Sequence, residues 1–201
     1  MKVDLKKELD SYRARRGEWR EVVVPPLTYL VVDGHGDPNG PAYAEAIATL
    51  FPVAYATKFA SKQQLGRDYV VPPLEAVWWA DDMASFTTAR DKTRWHWTAM
   101  ILVPDWVTPA VVDAAREKAS AKVSAEALAR LRVETLDEGR CLQTLHVGSY
   151  DDEAPVLADL HDRVVPERGL RLTGRHHEVY LSDARRVEPS RLRTILRQPV
   201  R

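Results

Sequence analysis

The sequence predicts an α+β fold: two β-α-β-β repeats related by a pseudo-twofold axis, with a ligand groove between them. Three observations carry this. The order strand, turn, helix, strand, strand occurs twice along the chain. Short segments match between the halves, "VVDGHGDPNGPAYAEAI" with "LHVGSYDDEAPVLADL" and "PLEAVWW" with "HHEVYLS". The strands have period-2 patterning, and the stretches between them have helical spacing and caps.

Residues 1–19 are highly charged and read as a helical or frayed segment ahead of a single domain spanning 20–201. Repeat one covers about 20–105, linking helices about 108–129, and repeat two about 130–201. Glu21 to Val32 is β-branched and apolar, a strand interrupted at Pro25-Pro26. "DGHGDPNGP" is dense turn punctuation. A helix starts near Pro41, and Pro52 divides that stretch so that a second helix carries Tyr55 and Phe59. "DYVVPPLEAVWWA" and "RWHWTAMILVP" are strands, joined by a polar hairpin loop or flap, "DDMASFTTARDKT". Thr108-Pro109 opens a helix running to about Lys122, and Ser124 caps another. "LRVETLDEGRCLQTLHVG" supplies one or two strands. Asp151 or Asp152 caps the helix of repeat two, which Gly169 closes in the C′ position. "GRHHEVYLSD" is the next strand, Glu188-Pro189 a short helical turn, and "LRTILRQPV" the last strand.

Composition narrows the function classes. The chain has 201 residues, 45% of them hydrophobic, and Lys+Arg and Asp+Glu each number 29, giving a formal net charge of zero. That balance gives no support for nucleic-acid wrapping or an anionic membrane surface. No apolar run approaches the roughly 20 residues of a membrane helix, and the N-terminus lacks a signal-peptide apolar region. A cytoplasmic protein is the expectation. Cys141, the one cysteine, sits in an apolar strand and reads as a buried structural thiol.

The repeat match sets Gly34 against Gly148, Asp37 against Asp151, Glu75 against Glu178, and Pro104 against Pro199. Alternation puts His176, Glu178 and Tyr180 on one face of their strand and Glu75, Val77 and Trp79 on one face of theirs. The two glutamate-bearing faces are expected to converge on the groove. There a carboxylate among aromatics is a general acid or base. Glu178 and Tyr180 are the candidate catalytic residues. Glu75, Trp79, Trp97, Tyr150 and His176 are the candidate substrate contacts, although packing alone could use most of the tryptophans and tyrosines. His176 and Glu178 share a face, but nothing in the spacing supplies the third and fourth ligands of a zinc site. "GHGDPNG" lacks the lysine and hydroxyl of a phosphate-binding loop. No metal or cofactor is expected.

The blocks "VVPPLEAVWW", "WHWTAMILVPDWVT", "GRCLQTLHVGSYDDE" and "HHEVYLSD…LRTILRQPV" resemble the GyrI-like small-molecule-binding proteins over roughly residues 20 to 200. Within them they resemble a stand-alone bacterial group. The resemblance implies a tandem of two SHS2 modules, the β-α-β-β unit of that family. Relatives include effector domains of multidrug-responsive regulators, gyrase inhibitors, and hydrolases that open the cyclopropane of DNA-alkylating natural products. In regulator relatives a buried glutamate on the last-but-one strand contacts cationic drugs, and Glu178 occupies that position. Where related chains read Ser-Asp-Pro after the strand, this one has Ser182-Asp183-Ala184. About 20 residues precede the first strand, too few for a helix-turn-helix domain. The expected partner is a planar hydrophobic or cationic aromatic small molecule. Hydrolysis of a cyclopropanoid toxin and non-catalytic binding or sensing both remain open.

Overall fold

The computed structural model describes residues 2–86 and 91–201, so the predicted loop or flap between the strands near Trp79 and Trp97 falls partly outside the described residues. The chain divides into two compact units. Unit one comprises Met1–Glu8, Leu27–Pro72 and Trp79–Leu136; unit two comprises Leu9–Pro26, Pro73–Trp78 and Asp137–Arg201.

Unit one is built on strands β3 (Leu27–His35), β6 (His96–Val103) and β7 (Arg132–Leu136), with β3 antiparallel to both others. A short parallel pair, β1 (Lys2–Val3) with β4 (Asp68–Tyr69), lies apart from them, and a one-turn helix α1 (Leu5–Glu8) follows β1. Helix α2 (Pro41–Leu65) starts with proline at its first position and stops at Gly66, whose φ of 67° is left-handed. The expected break at Pro52 does not occur: the helix runs through it. Flanking Leu50, Val53 and Ala54 are buried, and their packing outweighs the one ladder bond that proline cannot donate. Helices α3 (Pro109–Ala119) and α4 (Ala125–Arg130) complete the unit, and the Ser124 hydroxyl caps α4 by accepting from the Ala127 amide at 3.1 Å.

Unit two is an antiparallel sheet in the order β2 (Arg20–Val24), β8 (Gly139–Val147), β10 (Arg193–Pro199), β9 (His176–Tyr180) and β5 (Leu74–Trp79). One face is covered by a helical run: α5 (Ala154–Asp159), a π-helical turn (Leu160–Val164) and α6 (Val165–Glu167). Gly169 closes it with φ 63°. Leu160, Val164 and Val165 pack there on Leu142, Leu196, Val200 and Trp19. The charged N-terminal stretch is better ordered than its composition suggests. It forms a 3₁₀ turn at Asp10–Tyr12 and buries Ser11, Tyr12 and Trp19.

Both halves of the chain thus run strand, helix, strand, strand, and in each the first strand pairs antiparallel with the last, β3 with β6 and β8 with β10. Among the described residues no helix is long and apolar enough to cross a membrane.

Candidate functional site

The register of β5, β9 and β10 decides which side chains meet. Glu178 stands opposite Ala76 on one side and Leu196 on the other; His176 stands opposite Trp78, and Tyr180 opposite Thr194. Directly opposed residues of antiparallel strands point to the same side. His176, Glu178, Tyr180, Trp78, Thr194 and Leu196 therefore share the face that carries the helical run. The Tyr180 hydroxyl donates to Glu178 Oε2 at 2.7 Å and accepts from the Trp78 indole N–H at 3.2 Å. Tyr150 meets the Tyr180 ring edge-on, with centroids 5.5 Å apart. His176 Nε2 lies 3.4 Å from Glu178 Oε1 without hydrogen-bond geometry, and neither ring nitrogen of His176 is hydrogen-bonded among the described residues. The His176 and Glu178 side chains keep 15% and 13% of their surface open. Burial, and then the charges of Glu178, Glu153 and Asp183, push the Tyr150 hydroxyl up to about 12, so it stays a hydrogen-bond donor at neutral pH.

The other face of the same strands holds a sealed polar chain. Tyr12 donates to Glu75 Oε1. Glu75 Oε2 meets His177 Nε2 at 2.9 Å, and His177 Nδ1 meets Glu138 Oε1 at 2.9 Å. Glu138 Oε2 accepts from Arg197 Nη1 at 2.9 Å, and Arg197 also donates to Gln143 Oε1 and to the Ser11 carbonyl. Gln143 in turn donates to the Arg13 carbonyl at 2.8 Å, so the chain ties the N-terminal stretch to the sheet. Burial alone would lower the His177 pKa. The Glu138 charge and hydrogen bonds to Glu138 and Glu75 outweigh it, so His177 titrates above its ordinary value. Burial acts to raise Glu138, but His177 and Arg197 prevail and hold it at about 2.

The expectation that Glu75 and Glu178 face one groove is corrected here. Glu75 stands opposite Val179, on the Glu75–His177 face, and is 1% exposed. Equating Glu75 with Glu178 is one residue out of register, and a one-residue slip moves every side chain to the other face. Equating Glu75 with His177 restores the match and sets Trp78 against Tyr180. Trp78, not Trp79, therefore touches the Glu178 cluster. Trp79 lies in unit one, stacked on His96 at 5.5 Å. Trp97 is buried within unit one. It is 1% exposed, edge-on to Tyr43 of α2 and tight against Gly34, and fills the core of unit one. Of the candidates, Glu178, Tyr180, His176 and Tyr150 come together.

Sequence reading missed Tyr12, Glu138, His177 and Arg197. Arg197, in the middle of an apolar strand, was the visible signal, because a buried guanidinium requires a carboxylate. Burial, followed by the Glu138 charge, pushes the Cys141 thiol up to about 12, leaving it inert as expected. Among the described residues no group of three His, Cys, Asp or Glu side chains can hold a metal ion.

Comparison with known proteins follows the same lines. A family model, the GyrI-like small molecule binding domain, matches residues 18–201. Three solved structures from Listeria innocua superpose over 100% of both chains. An uncharacterized conserved protein is 37% identical with a TM-score of 0.89. Two proteins described as hydrolases are each 35% identical, with TM-scores of 0.87 and 0.83. No curated protein matches the chain.

Proposed function

Given that the chain belongs to the GyrI-like family of small-molecule-binding domains, we propose that it is a hydrolase of planar, electrophilic aromatic compounds, in particular cyclopropanoid DNA-alkylating toxins, with Glu178 as the proton-accepting group. The observation that carries this is the Glu178–Tyr180 pair at 2.7 Å on a face still partly open to solvent. The likeness to two hydrolases at 35% identity supports it.

Tyr180 occupies Oε2 of Glu178 and leaves Oε1 to meet a water. The water oxygen bonds to a cyclopropane carbon while its proton passes to Glu178. The strained C–C bond breaks, and its electron pair enters the conjugated ring as a phenolate, which then takes a proton; the net change is addition of one water. Tyr150, still protonated, is a donor suited to the developing phenolate oxygen. Tyr150 and Tyr180 present aromatic surface to a flat substrate, with buried Trp78 holding the Tyr180 hydroxyl.

Incubating the protein with a cyclopropane-bearing alkylator and following ring-opened product by mass spectrometry tests the reading. Glu178→Gln keeps the shape and removes the titratable group, and is expected to lower turnover by about 10² to 10⁴ with little change in binding. Tyr180→Phe is expected to cost less. Wild-type turnover by Glu178→Gln would exclude Glu178 as the acceptor. A second reading, binding without chemistry, draws on the same carboxylate, which suits a cationic ligand. It predicts no product, yet a stabilisation of about 2.7 kcal/mol at 100 times the dissociation constant.

A further inference from the structure

The turn-dense segment "GHGDPNG" carries a histidine that the fold sets against another. His35 ends β3 and His96 begins β6, and the register places them directly opposite each other. Their side chains therefore point to the same side of the strand pair. The ring centres are 4.6 Å apart, with the planes tilted by 56°. Trp79 stacks on His96 at 5.5 Å and 14°, so it covers a face of the imidazole and not its edge, where the nitrogens lie. One step beyond the pair, the Gly36 amide donates to the Trp95 carbonyl at 2.7 Å, so the ladder holds both histidine backbones in place. His35 is exposed and His96 half-buried. All of these residues belong to unit one.

We propose that His35 and His96 form a two-imidazole site for a divalent transition-metal ion, Cu²⁺ or Ni²⁺, with water in the remaining positions. Imidazole is the commonest protein ligand for such ions. The ring separation decides the class of ion. An imidazole bound at a metal–nitrogen distance of about 2.0–2.1 Å puts its ring centre about 3.2 Å from the ion. Two such rings have centres about 4.5 Å apart when they meet the ion at a right angle, and about 5.2 Å apart at the tetrahedral angle. The observed 4.6 Å fits the right angle of tetragonal Cu²⁺ or Ni²⁺ and is short for tetrahedral Zn²⁺. The neighbouring carboxylates are engaged elsewhere. Asp33 shares the His35 face, but it accepts from the Thr98 hydroxyl at 2.6 Å and from Arg132. Asp37 Oδ1 accepts from the Asn39 amide and side chain, each at 2.9 Å. Among the described residues no third His, Cys, Asp or Glu joins the pair. The site is thus an open one, where a small ligand with a nitrogen or oxygen donor can replace water.

The test uses the full chain and copper(II) chloride alone at neutral pH, so it depends neither on Glu178 nor on turnover of any compound. Calorimetry should show one Cu²⁺ bound at this site, with quenching of the Trp79 fluorescence because that ring stacks on His96. Electron paramagnetic resonance of the loaded protein should show a tetragonal ion coupled to two imidazole nitrogens. His35→Gln and His96→Gln should each leave one coupled imidazole and weaken binding by about tenfold or more. The other four of the six histidines lie in unit two and should not contribute. His35 is exposed, so His35→Gln should keep the wild-type melting temperature in the absence of metal. A wild-type spectrum with one coupled imidazole or none overturns the proposal, as does unchanged Cu²⁺ affinity in His35→Gln. Zn²⁺ binding more tightly than Ni²⁺ overturns the right-angle geometry and with it the choice of ion.

Discussion

Gly34 admits no side chain. A Cβ there would sit 2.0 Å from Cη2 and 2.1 Å from Cζ2 of Trp97, whose ring is itself held by Tyr43. Neither ring has room to retreat, so Gly34→Ala is an overpacking change, expected to cost about 1–3 kcal/mol in urea denaturation. An unchanged midpoint would show that Trp97 can turn aside. Gly148, matched to Gly34 in the repeat, is glycine for a different reason: its φ is 151°, and a Cβ there would lie 3.0 Å from His146 Nε2. At this scale the sequence marked the right positions without telling which constraint acts. The same holds for the site. Glu178 and Tyr180 were legible because alternation within one strand is local. Tyr12 and Glu138 were not, because they meet Glu75 and His177 only after segments far apart in the chain are brought together.

Elements were read well where their signals are chemical and less well where packing competes. Pro41, Thr108-Pro109, Ser124 and Gly169 all mark real ends. Pro52 misled, because a proline is a local signal and α2 is held by neighbours on several sides. Strand pairing was the weakest inference, since the offset between β5 and β9 is set by the register of their ladder and not by similarity of sequence. The cost that α2 bears at Pro52 is measurable. Alanine restores the missing ladder donor and removes the ring that crowds the preceding turn, a gain of up to about 3 kcal/mol, against which loss of proline's stiffening of the unfolded chain gives back about 0.4–1 kcal/mol. Pro52→Ala is therefore expected to raise stability by about 1–2 kcal/mol. A lower melting temperature would mean that the helix has adapted its curvature to the proline.

The stability of the molecule against pH depends on the sealed chain running from Tyr12 to Arg197. His177 has a carboxylate oxygen at each ring nitrogen, and both nitrogens donate only when the imidazole is charged. With His177 charged, the two glutamates are balanced by His177 and Arg197. Because the folded His177 pKa is raised, its contribution is fully present below the unfolded value of about 6.5 and is lost as pH rises through the folded value. Glu138, depressed to about 2 from 4.5, contributes above the unfolded value, and that contribution is lost as pH falls from about 4.5 towards 2. The chain is therefore at full strength in mildly acidic solution, and stability should decline on the alkaline side. His177→Gln leaves the two buried glutamates, Glu75 and Glu138, with Arg197 as the one remaining cation of the sealed chain. It should lower stability by about 3–5 kcal/mol near pH 6 and flatten the alkaline decline, because the group that titrates there is gone. Urea denaturation of both proteins across a pH series checks this. Parallel curves would mean that His177 is neutral in the fold and that one of its two carboxylate neighbours carries the proton instead.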